Sequence, residues 1–385
     1  MKKLWIVLIS LFFVIPIVSA EENDAILAKN AKSAILIEES TGQILYEYNS
    51  HEKNAPASMT KMMSLLLIME SIEKGVINWD QMITVSSNAS SMGGSQILLE
   101  TGEKMSVNDL VKGISIASGN DAVVALAEAI AGTEENFVKM MNDKAKELGL
   151  KDTNFKNCHG LDEEGHYSSA YDMAYIGREL VKHEKILEYS SIYESYLREG
   201  TSKKIWLVNT NKLVRFKQGV DGLKTGYTEG AGFCLTATMK QDGMRVIATV
   251  MGEPDSTTRN SEVSSMLDYA FATVGLKKVL SKDSVIEKID LSKAKVDEVE
   301  IVPLEDVNIL YKKVEGEFTP TYDIKIDEIK APIKAGDIVG KLYVMNDDKI
   351  VQEVKLTVSK DIKKCNLLEL YFKNLKNIFC GNISF

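Results

Sequence analysis

The spacing of hydrophobic and polar residues predicts a mixed α/β unit over residues 24–276. Residues 33–48, SAILIEESTGQILYEY, contain two β-rich runs around a Ser-Thr-Gly turn, which is typical of a hairpin. Residues 61–74 are apolar on almost every side and end before a glycine, which predicts a buried helix. More helical spacing follows over 106–150, and a Gln-Asp-Gly turn predicts a second hairpin over 232–252. The segment SEVSSMLDYAFATVG then predicts a closing helix.

The pattern changes after this unit. Five short β-rich runs separated by turns predict a small all-β domain over residues 283–359. Residues 361–385 return to helical spacing, with leucine and aromatic side chains on one face and lysine and asparagine on the other. Such a helix either docks on its own domain or lies in a membrane interface, and the aromatic face opposite four lysines favours the interface.

The first twenty residues have the character of a secretory signal. Two lysines precede the apolar run LWIVLISLFFVIPIV, and the sequence VSA at 18–20 is a small-x-small cleavage site. Pro16 and the short apolar length argue against a retained membrane helix. We therefore expect an exported protein whose signal peptide is cleaved after Ala20.

Composition excludes several classes of function. The net charge of the 385-residue chain is −9, and no long basic block is present, which argues against nucleic-acid binding. The four cysteines contain no Cys-x-x-Cys pair, so the chain is not a disulfide scaffold. The four histidines contain no His-Glu-x-x-His, so the usual signature of a zinc hydrolase is missing.

Ser-x-x-Lys, a pattern that can form a nucleophile and its base, occurs four times, at Ser50, Ser58, Ser71 and Ser292. Only Ser58 follows a proline-containing loop and opens a long buried helix. Lys61, three residues later, lies on the same helical face and can take the hydroxyl proton if its pKa is lowered. Free N–H groups at the start of the helix can hold an oxyanion. Taken alone, Ser58 is better explained as a helix cap.

Two further motifs decide between these explanations. Ser118-Gly119-Asn120 offers a hydroxyl and an amide from one tight loop, where one can relay a proton and the other can bind a substrate amide. Lys224-Thr225-Gly226 leads into a β-rich run, so a peptide can approach its glycine while the lysine and threonine face a carboxylate. Each motif alone is weak. Together, and in this order, the three form the set found in β-lactamases and penicillin-binding proteins.

Residues 31–274 resemble the serine-type D-alanyl-D-alanine carboxypeptidases, low-molecular-mass penicillin-binding proteins of the penicillin-recognising serine hydrolase superfamily. The segments NAPASMTKMM, ISIASGNDA, CHGLDEEGHYSSAYDMA and GVDGLKTGYTEGAGFCL carry the resemblance. It implies a β-lactamase/transpeptidase-like α/β (α+β) domain with an antiparallel sheet flanked by helices, then a small all-β domain and an amphipathic helix. It also implies removal of the last D-alanine from peptidoglycan stem peptides, covalent inhibition by β-lactam antibiotics, and no metal or organic cofactor.

The resemblance implies a role for each motif residue. Ser58 is the acylated nucleophile, Lys61 its base and Ser118 part of the proton network. The implied substrate-binding residues are Asn120, Lys224, Thr225, Gly226, Tyr227 and Arg259. The N–H groups of Ser58 and Tyr227 form the implied oxyanion hole, and Arg259 helps to bind the terminal carboxylate. Some members have histidine after Lys-Thr-Gly, where this chain has Tyr227, so the backbone donor is kept and the side chain differs.

Two alternatives remain open. A β-lactamase needs a deacylating base, and no clear Glu-x-x-Leu-Asn segment lies between Ser118 and Lys224. A non-catalytic peptidoglycan-binding protein on the same fold would not need all the motif side chains, which are present. Near the implied site we expect a structural role for His159, and Cys158 as a packed thiol.

Overall fold

The structure is a computed structural model, and it describes residues 26–291 and 293–379. The predicted signal peptide over residues 1–20 lies outside the described residues. Ser292, which begins one of the Ser-x-x-Lys patterns, also lies outside them.

The α/β unit is built around one antiparallel sheet. Its strands, with those of two small ribbons, are β1 (Ser33–Glu38), β2 (Ile44–Tyr48), β3 (Met82–Thr84), β4 (Lys104–Ser106), β5 (Glu194–Leu197), β6 (Ile205–Val208), β7 (Val220–Thr228), β8 (Gly232–Gln241) and β9 (Met244–Glu253). The sheet has the order β2-β1-β9-β8-β7, while β3 pairs with β4 and β5 with β6. Asp242 and Gly243 join β8 to β9 with positive φ, as a tight hairpin requires.

Helices cover both faces of the sheet. They are α1 (Lys61–Glu73), α2 (Ser87–Ser90), α3 (Val107–Ala117), α4 (Asn120–Ala131), α5 (Glu134–Glu147), α6 (Ala170–Val181), α7 (Lys185–Ser190), α8 (Leu213–Phe216) and α9 (Ser256–Thr273). Alternate residues of β1 face opposite sides: Ile35 packs into the core that contains α1, and Leu36 into the core under α9. α1 also contacts α4, α5 and α6, which explains its apolar surface. The predicted fold class is confirmed.

The C-terminal part is all-β, as predicted. Its strands are β10 (Val274–Leu280), β11 (Glu287–Asp290), β12 (Glu298–Pro303), β13 (Val307–Lys312), β14 (Thr321–Ile326), β15 (Gly340–Asn346) and β16 (Lys349–Val358). Five of them form a sheet in the order β11-β12-β16-β15-β14, and β10 pairs with β13. Leu310 of β13 packs into the core under α9, so the β10–β13 pair connects the all-β domain to the α/β unit.

The last helix, α10 (Leu367–Phe379), begins later than the helix predicted over 361–385. Ile362 is instead buried in the core of the all-β domain and pairs with Ile333. Periodicity alone could not show this, because one apolar residue suits a helix face and a β-bridge equally well. Among the helices in the described part of the chain, none is long and apolar enough to cross a membrane.

Candidate active site

Ser58 lies in a single helical turn, Ala57–Thr60, directly ahead of α1. Lys61 is the first residue of α1, and its Nζ donates a hydrogen bond to Ser58 Oγ at 2.9 Å. Ala57 has a φ of 47°, a left-handed value that strains a residue with a Cβ and is common beside functional groups. The predicted nucleophile and base are therefore in direct contact.

The environment of Lys61 favours its neutral form. The side chain is fully buried, and its Nζ also donates a hydrogen bond to the carbonyl oxygen of His159 at 2.6 Å. Burial lowers the pKa of Lys61 to about 7, although Cys158 and Asp121 act in the opposite direction. Near pH 7 about half of the molecules therefore hold an uncharged amine that can accept the proton of Ser58.

Two glycines let neighbouring segments approach the backbone around Ser58. A Cβ on Gly226 would lie 2.8 Å from the carbonyl oxygen of Pro56, and a Cβ on Gly160 would clash with the backbone of Ala57. Gly160 also has a φ of 88°, which favours glycine. Strand β7 and the loop after His159 therefore pack directly against the turn that carries the serine.

Ser118 and Asn120 lie at the junction between α3 and α4. Ser118 caps α3 in the left-handed conformation, and Asn120 begins α4. The side-chain Nδ2 of Asn120 donates to the carbonyl oxygen of Gly93 at 2.7 Å. Ser118 Oγ and Asn120 Oδ1 are both buried and have no hydrogen-bond partner among the described residues. Buried polar atoms are normally satisfied, so these two are suited to bind a ligand.

Lys224 and Thr225 lie on β7, at the edge of the large sheet. Lys224 is buried, and its Nζ donates to the carbonyl oxygen of Thr225 at 2.9 Å. Burial, followed by the charges of Lys61 and Arg259, holds the pKa of Lys224 well below its usual value. A carboxylate bound here would offset this repulsion between like charges. The open edge of β7 also allows an extended peptide to pair with it.

Tyr227 follows the Lys-Thr-Gly motif and is 55% exposed. Its ring packs on Phe233 of β8, with centroids 4.3 Å apart. One residue later, Thr228 Oγ1 donates to Asp162 at 2.7 Å, which ties the end of β7 to the loop that carries His159. The ring of Tyr227 therefore lies on the surface at the end of β7 and is not part of the buried core.

Arg259 lies in the first turn of α9 and is 5% exposed. Its guanidinium donates to Asn260 Oδ1 at 2.9 Å, and burial lowers its pKa. Burial and, next, the neighbouring Glu262 together raise the pKa of the nearby Glu253 to about 8. Glu253 is thus mostly uncharged at pH 7 and leaves the positive charge of Arg259 available to a substrate anion.

Two contacts were not predicted from the sequence. Thr225 Oγ1 donates to Thr210 Oγ1 at 2.7 Å, and the N–H of Thr210 bonds to the carbonyl oxygen of Ile116, close to Ser118. Thr210 therefore links two of the three motifs. The carbonyl of His159 that binds Lys61 was also missed, because a backbone group leaves no residue-type signal. Thr210 lies between two asparagines that are both buried, and this Asn-Thr-Asn sequence is a signal that could have drawn attention to the segment.

The other described Ser-x-x-Lys patterns lack this geometry. Ser50 Oγ donates to Glu47, and Ser71 Oγ donates to the carbonyl oxygen of Leu67. Burial raises the pKa of Cys158 well above its usual value, which suits a packed thiol. No group of three or more potential metal-ligating side chains is present in residues 26–291 and 293–379.

The similarity of this chain to solved structures identifies the class of protein to which it belongs. By structure the chain is similar to penicillin-binding protein 5 from Haemophilus influenzae, with a TM-score of 0.72, 31% identity, and coverage of 87% of this chain and 98% of that one. It is also similar to penicillin-binding protein D2 from Listeria monocytogenes in its ampicillin-bound form, with a TM-score of 0.57, 30% identity, and coverage of 63% and 98%. The fold is thus that of the low-molecular-mass penicillin-binding proteins.

The sequence narrows the class. Residues 18–255 match the family described as D-alanyl-D-alanine carboxypeptidase, and residues 275–364 match the C-terminal domain of penicillin-binding protein 5. The chain is 50% identical over 343 residues to the D-alanyl-D-alanine carboxypeptidase DacF of Bacillus subtilis. The aligned region covers 89% of this chain and 88% of that protein. This chain therefore belongs to the D-alanyl-D-alanine carboxypeptidase family and is a serine-type carboxypeptidase, as the motifs predicted.

Proposed function

We propose that this enzyme removes the terminal D-alanine from peptidoglycan stem pentapeptides through an acyl-enzyme on Ser58, which limits cross-linking of the wall. The contact between Lys61 and Ser58, with the lysine pKa lowered to about 7, carries the proposal. Neutral Lys61 takes the proton of Ser58 as its Oγ attacks the carbonyl carbon of the penultimate D-alanine. The N–H groups of Ser58 and Tyr227 hold the resulting oxyanion.

The tetrahedral intermediate then collapses, and the C–N bond to the last D-alanine breaks. The proton held by Lys61 passes through Ser118 Oγ to the leaving amine, and Asn120 binds a substrate amide. A water molecule then attacks the ester, and Ser58 regains its proton. The buried, unpartnered oxygens of Ser118 and Asn120 support these roles.

Lys224, Thr225 and Arg259 bind the carboxylate of the last D-alanine in this proposal, while Gly226 lets the substrate lie close to β7. The shared burial of the two cations supports it, because an anion stabilises charges that water cannot reach. A β-lactam carries a similar carboxylate and a reactive amide, so we expect it to acylate Ser58.

The test is covalent labelling by a penicillin, read by intact mass. Wild type should gain one adduct, and Ser58→Ala should gain none while it remains folded. Ser50→Ala and Ser71→Ala are matched controls, because they change the same residue type in patterns that lack a contacting lysine, and both should label. An adduct on Ser58→Ala would exclude this nucleophile. Rapid loss of the adduct in wild type would indicate a β-lactamase, and no adduct would indicate a non-catalytic wall-binding protein.

We also propose that the protein is exported, with its signal peptide cleaved after Ala20, and that α10 binds the outer face of the membrane. Large apolar side chains at the start of α10 are exposed, namely Leu367, Leu368, Tyr371 and Phe372. Lys373 instead turns back, and its Nζ donates to the carbonyl oxygens of Ala294 and Val296 at 3.0 and 2.8 Å. The polar face of α10 thus contacts the all-β domain, and the apolar face is left for lipid.

Co-sedimentation with anionic vesicles tests this binding. Leu368→Asp with Phe372→Asp should reduce sedimentation strongly, because each places a charge on the lipid-facing side. Val314→Asp is the control, since Val314 is equally apolar and 91% exposed but lies outside α10. Equal sedimentation of wild type, the double variant and Val314→Asp would contradict membrane binding by α10.

A further inference from the structure

A hairpin and a short helix beside the active site expose an unusual set of side chains. Trp206 is 57% exposed and lies opposite Tyr196 on the outer face of the β5–β6 hairpin, and Phe216 at the end of α8 is 72% exposed. Lys204 lies over the ring of Tyr196, and Arg215 lies over that of Phe216. Lys212 lies over Tyr193, whose ring contacts Phe216. We define the aromatic–basic surface as Tyr196, Lys204, Trp206, Lys212, Arg215 and Phe216.

The charge of this segment is opposite to that of the whole chain. Residues 193–217 contain six basic and two acidic residues, a net charge of +4, whereas the chain carries −9. Three of the six, Arg198, Lys203 and Lys217, form ion pairs with carboxylates. The remaining three are Lys204, Lys212 and Arg215, and none of them has a carboxylate partner within the described residues.

The three free cations lie over aromatic rings. Lys204 Nζ is 3.9 Å from the ring centroid of Tyr196, and Arg215 Cζ is 4.7 Å from that of Tyr193. Lys212 Nζ is 5.3 Å from the same Tyr193 ring. Such contacts hold the cations in place without neutralising them, so they remain available to an external anion.

The chain segment that carries this surface is hydrogen-bonded to the active site. The chain between β6 and α8 passes through Thr210, which bonds to Thr225 of the Lys-Thr-Gly motif. Trp206 and Arg215 lie four and five residues from Thr210 in sequence. A chain of five residues spans at most about 18 Å, so the surface begins close to the cleft. A polymer that presents its end to Ser58 and extends along this side of the molecule can therefore reach it.

We propose that the aromatic–basic surface binds the glycan–peptide polymer that carries the D-Ala-D-Ala ends, outside the catalytic cleft. This inference rests on the proposed function. Sugar rings present apolar C–H faces that pack on exposed aromatic rings, and every stem peptide ends in a carboxylate that the free cations attract. The surface therefore favours polymeric wall over a short peptide with the same end.

The test compares two substrates of the full chain: a soluble pentapeptide that ends in D-Ala-D-Ala, and insoluble wall polymer with the same ends. The variant is Trp206→Ala with Arg215→Ala. The control is Tyr322→Ala with Lys325→Ala, which removes an exposed aromatic residue and an exposed cation from β14 of the all-β domain. D-alanine release and co-sedimentation with the polymer are measured for each protein.

The variant should lose at least about fivefold in co-sedimentation and in D-alanine release from the polymer, with release from the soluble peptide unchanged. The control should match wild type on both substrates. Raising the salt from about 0.05 M to about 0.5 M should weaken polymer binding by wild type more than by the variant, because salt also screens the charge of Arg215, which the variant lacks.

Three results would overturn the proposal. An equal loss on both substrates would mean that the surface supports the cleft itself, and no loss on either would mean that it does not bind the polymer. If the variant lost sedimentation with anionic vesicles but not with the polymer, the aromatic–basic surface would be a membrane contact instead. If wild type releases no D-alanine from either substrate, the proposed function fails, while co-sedimentation still decides the role of the surface.

Discussion

Lys61→Arg keeps a positive charge at the active site and should almost abolish acylation of Ser58. Arginine remains protonated at any working pH, so it cannot accept the proton of the serine. Lysine at this position can, because burial lowers its pKa to about 7. The substitution therefore separates a role as base from a role as fixed cation.

The expected loss follows from the neutral fraction of the amine. A shift from 10.5 to about 7 corresponds to roughly 5 kcal/mol against the charged form. At pH 7 about half of the buried amine is neutral, compared with roughly one molecule in 3,000 for an ordinary lysine. The neutral fraction of arginine is smaller still, so we expect the rate of acylation to fall by at least about 1,000-fold.

The assay is the second-order rate constant for labelling by a fluorescent penicillin, measured between about pH 5.5 and pH 9. For wild type it should rise with pH as Lys61 loses its proton, with a midpoint near 7, and then level off. Lys74→Arg is the control, because Lys74 belongs to another Ser-x-x-Lys pattern and pairs with Glu70 on the surface. It should label like wild type.

A rate for Lys61→Arg within about tenfold of wild type would refute general-base catalysis by this residue. A wild-type profile that stays flat from about pH 5.5 to pH 8 would refute the lowered pKa. Circular dichroism of the variant excludes unfolding as the cause of a loss.

The remaining predictions concern stability and substrate choice. Lys61→Met should be inactive but more stable at pH 6 by roughly 1–4 kcal/mol in denaturant unfolding, because it removes a buried charge. Between pH 7 and 10.5, Lys61 binds more protons in the unfolded protein than in the folded one, so the stability of wild type should rise with pH over that range. The stability difference between Lys61→Met and wild type should therefore be smaller at pH 9 than at pH 6. An unchanged difference would count against a lowered pKa of Lys61. Gly160→Ala should unfold at a lower temperature and label slowly, since its Cβ clashes with the backbone of Ala57, and normal values for both would show that the turn can shift. Amidation of the last D-alanine should lower kcat/KM for wild type, and Arg259→Ala should shrink that difference; equal turnover of acid and amide by wild type would exclude the carboxylate contact.

The agreement between sequence and structure was best where local and tertiary preferences coincide. Residues 61–74 were predicted as a buried helix because their apolar side chains leave no polar face, and α1 has helices on several sides. The hairpin over 232–252 was predicted from its turn, whose two positive φ values suit aspartate and glycine. The tail was predicted less well, because Ile362 belongs to a β-bridge that depends on the distant Ile333.

The sequence by itself determined the family, the order of the three motifs and the alternation of apolar residues that defines the fold. Only the tertiary structure decided that Lys61 is buried, that Thr210 links Thr225 to the end of α3, and that the carbonyl of His159 bonds to Lys61. The reason is physical. Residue type and spacing record local preferences, whereas a pKa depends on which distant atoms exclude water from the group, and a backbone carbonyl is the same in every residue.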